Sequence, residues 1–199
     1  MRYFFIDELK RDDPKYYFTD RSPKGLGLAS WRPAKGAPIA DKWPNPPPPV
    51  YPSDDSPAVK LPSLIGNTQA YLIVSSELRK LIEEHCRGRE IEYLPVVLFS
   101  PKKREQSRDY CLVNPIGAVD CLDLSRSKIV YSEGPGSAVV GVDKFVLDPR
   151  KLEGVAPLFR IKEDPRQYAV TEPLARAFAE HEFTNLFLTE IEVAPSGAR

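Results

Sequence analysis

Ten of the thirty residues from Pro33 to Pro62 are proline, including the run Pro46-Pro-Pro-Pro49. Proline has no backbone N–H and a fixed φ, so it can supply neither a helix interior nor a central sheet ladder. This segment must therefore be irregular coil or polyproline II, and regular structure has to come from the flanks. Two tryptophans and a tyrosine, Trp31, Trp43 and Tyr51, sit in or beside it. Rings of that size are costly to leave in water. Two readings follow: they anchor an arm that wraps the domain, or the arm presents them to a partner.

The strongest local order lies just beyond. Tyr71–Val74 reads as a strand, Ser75 to about Arg87 as a helix, and Ile91–Phe99 as a second strand. The Ser75 hydroxyl can accept from the free amides of the first turn. Leu78, Leu81, Ile82 and Cys86 form one apolar face, and Gly88 suits a C-cap. Pro95 predicts an edge position or a bulge in the second strand. The unit is echoed 96 residues on: Val74-Ser75-x-x-Leu78 by Val170-Thr171-x-x-Leu174, and Glu84-His85 by Glu180-His181. A second helix is predicted over about 171–182, capped by Thr171, with Pro173 tolerated in its first turn. It presents Leu174, Ala177 and Phe178, and a strand at Leu186–Val193 follows.

Residues 3–9 alternate as an aromatic-rich strand, and Tyr16–Phe18 reads as a second, short one. Between 91 and 147 the pattern predicts an antiparallel meander. Its strands are Ile91–Phe99, Tyr110–Asn114, Ala118–Leu124, Lys128–Ser132 and Ala138–Leu147. They are separated by the charged loop Pro101–Asp109, by Asn-Pro-Ile-Gly117, by Ser125–Ser127 and by Glu133-Gly-Pro-Gly136. Leu158–Ile161 adds a short strand, and the tail from Ala194 is expected to fray. The fold class is α+β: a largely antiparallel sheet with two capped helices packed on one face. At 199 residues the chain is read as a single domain, with 33–62 its proline-rich arm.

Charge narrows the function classes. The chain has 28 basic and 28 acidic side chains. A nucleic-acid binder normally shows a basic excess, and an inhibitor steered onto a basic nuclease an acidic one. No apolar run approaches the ~18 residues of a membrane span. The N-terminus lacks a signal peptide's apolar core and cleavage site. Cys86, Cys111 and Cys121 are an odd number without framework spacing, as expected of reduced, buried thiols in a cytoplasmic protein.

Motifs that carry chemistry are scarce. His85 and His181 end the two matched helices, and with Cys86 they could form a metal or nucleophile site. A helix C-terminus also favours histidine on plain electrostatic grounds. Ser125-Arg-Ser-Lys128 matches Ser-x-x-Lys, which needs a helix to bring lysine to serine, yet it falls in a predicted turn. Asp120 and Asp123, three apart on a predicted strand, would face opposite ways and suit turn-capping better than acid–base pairing. Lys102, Lys103 and Arg104 form a short basic loop, a solvated tip or a partner contact.

The string Asn114-Pro…Val119-Asp-Cys-Leu-Asp123…Ser127 resembles a family of immunity proteins from bacterial polymorphic toxin systems, the myxobacterial-type immunity domain. The likeness extends over Tyr3–Ile6, Val74-Ser75, Tyr110, Val146-Leu-Asp148, Phe159-Arg160 and Val170-Thr171. It implies a non-enzymatic protein that binds and neutralises a cognate toxin domain, with no catalytic residues and no cofactor. The candidate partner-binding residues are then Trp31, Trp43, Tyr51, Lys102, Lys103 and Arg104. The competing reading is a small enzyme or metal-binding protein built on His85, Cys86 and His181.

Overall fold

A computed structural model describes residues 1–133 and 138–195. In chain order the elements are β1 (Tyr3–Asp7), β2 (Phe18–Thr19), a short helix α1 (Trp31–Ala34), β3 (Pro49–Val50), β4 (Leu64–Asn67), β5 (Leu72–Ser75), α2 (Ser76–His85), β6 (Ile91–Phe99) and β7 (Glu105–Pro115). Then come β8 (Lys128–Tyr131), β9 (Val139–Lys144), β10 (Val146–Leu147), β11 (Leu158–Ile161), β12 (Asp164–Thr171), α3 (Glu172–Glu180), β13 (Phe187–Glu190) and β14 (Glu192–Val193). The sheet-dominated, mostly antiparallel α+β class is what the structure has.

The strands between 91 and 147 are shared among several sheets rather than forming one continuous meander. A six-stranded sheet runs β2-β4-β5-β7-β6-β3, and a four-stranded one runs β11-β12-β1-β13. The β8–β9 hairpin and the β10–β14 pair stand apart. Residues 118–124 do not form a strand. They contribute only single bridges, Val119 to Ile161 and Leu122 to Leu147, because the segment passes from β11 to β10 and pairs only once with each. The loop expected over 101–109 is shorter than predicted. Phe99 pairs with Glu105 and Leu98 with Ser107, so the ladder continues to a tight turn at Ser100–Arg104. The glycine–proline turn signature near 134–136 lies outside the described residues, as does most of the tail.

Alternation explains the layers. In β5, Leu72 and Val74 face one side, and Ile73, with Tyr71 just before the strand, faces the other; in β7, Cys111 and Val113 oppose Tyr110 and Leu112. In β1, Phe4 and Ile6 oppose Tyr3 and Phe5; in β12, Tyr168 and Val170 oppose Ala169. Every central strand is thus apolar on both faces, and each sheet must be covered twice. The two helices fill the space between the sheets, burying Leu78, Leu81 and Ile82 from α2 and Leu174, Ala177 and Phe178 from α3. They therefore pack between two sheets rather than on the face of one. Residues 17–61 cover the outer face of the larger sheet with Tyr17, Leu26, Ile39, Val50 and Ala58. Cys121, Leu122, Leu147 and Leu152 cover the outer face of the smaller one.

The sequence echo has a topological counterpart. In β4-β5-β7-β6 and in β11-β12-β1-β13, a hairpin leads into a helix, and the strand after the helix lies beyond one antiparallel intruder. That intruder is β7 in one sheet and β1 in the other. The caps differ. Leu78 N–H donates to Ser75 Oγ at 3.3 Å, but the Thr171 side chain makes no capping bond. Pro173 has already removed one amide there, and Glu172 N–H is taken by the Arg2 carbonyl at 3.0 Å. Gly88 does hold the left-handed φ of +77° expected after α2.

Candidate functional site

The six candidate partner-binding residues sit on different elements. Trp43 is half-buried, and its indole N–H donates to the Pro95 carbonyl at 2.9 Å. Pro95 is exposed, beside a register shift, where β3 has not yet joined β6. Tyr51 packs on Phe99 with ring centroids 5.3 Å apart, and Lys24 Nζ lies 4.7 Å over its ring. Trp31 is 53% exposed. It borders a cavity of about 260 Å³ with Thr68, Gln69, Ala70 and Arg166. Lys102, Lys103 and Arg104 are exposed on the β6–β7 turn.

The histidines and Cys86 are each committed locally. His85 Nδ1 donates to the Leu81 carbonyl at 3.0 Å, and His181 Nδ1 to the Ala177 carbonyl at 2.8 Å. Since a carbonyl only accepts, the proton sits on Nδ1 in both. The His181 ring also stacks on Phe183 at 5.7 Å. Burial pushes the Cys86 thiol up to about 11, the reverse of what a nucleophilic cysteine needs. All three cysteines are free and buried, and burial pushes Cys111 and Cys121 up to about 12. Among the described residues, no three of His, Cys, Asp and Glu converge as a metal cluster would.

The other candidate motifs are turn chemistry. Ser125 Oγ donates to Asp123 Oδ1 at 2.6 Å, and Lys128 pairs with Asp143 at 2.8 Å, so the Ser-x-x-Lys pair is never assembled. Asp123 also accepts from the Ser125 amide at 3.0 Å, the turn-capping role expected of it. Asp120 instead takes Lys151 at 2.7 Å and Lys162 at 3.5 Å.

The main polar centre is one that sequence reasoning did not single out as a site. Arg160 is 1% exposed. Its guanidinium donates to the carbonyls of Pro33, Ala34 (3.2 Å), Pro115 (3.2 Å) and Pro165 (2.6 Å), and to the Tyr168 hydroxyl (2.7 Å). The plane lies 4.1 Å from the Tyr168 ring centroid. The Tyr168 hydroxyl in turn donates to the Ala70 carbonyl at 3.0 Å and accepts the Leu72 amide at 3.1 Å. Asn114 Nδ2 donates to the Ala37 carbonyl (3.1 Å) and to Glu92 (2.9 Å), and Glu92 accepts the amides of Ile39 and Ala40. One cluster thus ties residues 33–40 to both sheets. Glu8, almost buried nearby, has its carboxyl pushed up to about 7 by burial, with Asp7 and Asp164 adding to the rise and Arg160 opposing it.

A family model for the Immunity protein family (Imm11) matches residues 4–193. The chain belongs to the Imm11 immunity protein family. No curated protein matches the chain. In this Imm11 member several of the polar residues that carried the resemblance are internal fasteners, whereas Asp120 and Asp123 stay at the surface. Asn114 and Arg160 meet at 3.4 Å in the buried cluster. Tyr110 Oη donates to the Pro62 carbonyl at 2.8 Å. Ser127 Oγ donates to the Val146 carbonyl at 3.2 Å and accepts its amide at 3.1 Å. Asp148 accepts a two-point contact from Arg150, which draws its carboxyl down to about 2. A signal for Arg160 was available: it lies in Leu158-Phe-Arg-Ile161, where apolar neighbours on both faces mark a strand without a wet side.

Proposed function

We propose that this chain is a non-enzymatic immunity protein that binds and neutralises a cognate toxin domain of a polymorphic toxin system by direct protein contact in the cytoplasm. The observation that carries the reading is the family match across residues 4–193. The local commitments of His85, Cys86 and His181 support binding over catalysis, since each already serves its own helix or the core. Among the described residues no helix is long and apolar enough to cross a membrane. Residues 33–62 act in this reading as an arm of one domain, wrapped on the larger sheet. The burial of Ile39, Val50 and Ala58 supports that role.

The test is co-expression with the toxin domain encoded beside this chain's gene. Restored growth, and co-purification of the two chains as a stoichiometric complex, are the expected results. Growth arrest despite full expression, with no complex on size-exclusion chromatography, would refute the proposal.

A further inference from the structure

We propose that the β6–β7 turn and the aromatic pair beside it form the surface that receives an acidic face of the toxin domain. The inference rests on the immunity reading above and names the chemistry of its partner.

Three consecutive cations, Lys102, Lys103 and Arg104, occupy a turn closed by two backbone bonds. Ser100 N–H donates to the Arg104 carbonyl and Lys103 N–H to the Ser100 carbonyl, both at 2.8 Å. All three side chains are exposed, and none lies in an ion pair with a described acid. The acid next in sequence cannot neutralise them. Both Glu105 carboxylate oxygens are taken by Arg108, at 2.7 and 2.6 Å. Lys103 also holds φ at +58°, a left-handed conformation that glycine adopts without steric penalty and lysine does not. The turn thus carries a cation where its backbone alone would favour glycine.

The strand entering this turn ends at Phe99, whose ring packs on Tyr51 under Lys24. Lys24 is exposed and likewise has no ion-paired acid among the described residues. The surface is therefore a small aromatic platform flanked by four uncompensated cations. Its complement is a partner face of clustered carboxylates around an apolar contact. Such pairing mainly raises the association rate and falls with salt. A protein face is favoured over nucleic acid because the chain as a whole has no basic excess, with 28 cations against 28 anions.

The experiment uses the full chain and a catalytically dead form of the neighbouring toxin domain. Binding is measured for wild type, for the Lys102→Glu/Lys103→Glu/Arg104→Glu variant and for Lys103→Gly, each at low and high salt. Each exposed charge is worth a fraction of a kcal/mol, so the triple reversal is expected to weaken binding at least about tenfold at low salt. The salt dependence should shrink with it. Lys103→Gly should bind a few-fold more weakly while unfolding no more easily than wild type. Unchanged affinity and salt dependence in a folded triple variant would overturn the inference while leaving the immunity reading intact. So would loss of binding to a DNA or RNA duplex with toxin binding unaffected. Failure of the wild type itself to bind would instead defeat the immunity reading, and this inference with it.

Discussion

Replacing Arg160 with methionine tests whether the buried cluster holds the fold together. Two effects oppose each other. Burying a guanidinium with no carboxylate in contact carries a desolvation cost, and Arg160→Met removes it. Against that, the change strands the acceptors that Arg160 serves: the carbonyls of Pro33, Ala34, Pro115 and Pro165 and the Tyr168 hydroxyl. A buried acceptor left unpaired costs about 1–3 kcal/mol. Even with strong non-additivity, three or four of them outweigh what is gained. The net loss is expected at about 3–5 kcal/mol, the sum for three or four stranded acceptors at about 1–3 kcal/mol each, less the desolvation recovered. That is a large part of the 5–15 kcal/mol available to a typical domain. With a urea m-value of about 2 kcal/mol/M, the midpoint should fall by roughly 1.5–2.5 M. Arg160→Lys keeps the charge but presents a compact ammonium in place of a planar fork, so it should recover less than half of the loss. A methionine variant within about 1 kcal/mol of wild type would refute the reasoning, because desolvation would then have dominated.

Two further outcomes follow from the same region. Glu8 titrates near 7 in the folded chain against an ordinary value of 4.5. The folded state therefore binds the extra proton between those values, and stability must fall as pH rises through that window. The full penalty, about 3 kcal/mol, is present above pH ~7 and absent below pH ~4.5. Glu8→Gln should accordingly be more stable than wild type at pH 8 and equal to it near pH 4, as measured by urea unfolding; a pH-independent difference would contradict the assignment. Gly36 has φ +67°, and a Cβ there would meet the Gly117 carbonyl at 2.6 Å and the Pro115 carbonyl at 2.9 Å. Gly36→Ala combines left-handed strain of about 1–2 kcal/mol with a clash against backbone. It should destabilise by more than about 2 kcal/mol in thermal or urea unfolding, and a change under 0.5 kcal/mol would show that residues 33–40 are not seated as an integral part of the fold.

What could be read from the chain depended on whether its cause was local. Ser75 caps α2 because a hydroxyl three residues before Leu78 can reach its amide, and that spacing is visible in the string. The faces of α2 and α3 are equally visible, since Leu78, Leu81 and Ile82, and Leu174, Ala177 and Phe178, follow the helical period. Partnership between strands is not written locally. Tyr110–Val113 shows that both faces are apolar, but not that β5 and β6 flank it while β1 builds a second sheet with β12. Alternation misled at 118–124, where Val119 and Leu122 each make one bridge and no ladder. At Thr171 the string suggested the same cap, but Pro173 removes one of the two amides an N-cap serves and the Thr171 hydroxyl makes no capping bond. Arg160 is the sharpest case. A lone arginine in a short strand reads as the solvent-facing position, and only its buried neighbours on both sides argue otherwise. Four of the polar residues that made the family recognisable, Asn114, Ser127, Asp148 and Arg160, are consumed in holding the fold. They cannot also be the contact surface. On the proposal that this chain binds a toxin, recognition falls to groups the fold leaves uncommitted, and the turn at Lys102–Arg104 is one place where three charges stand together without internal partners.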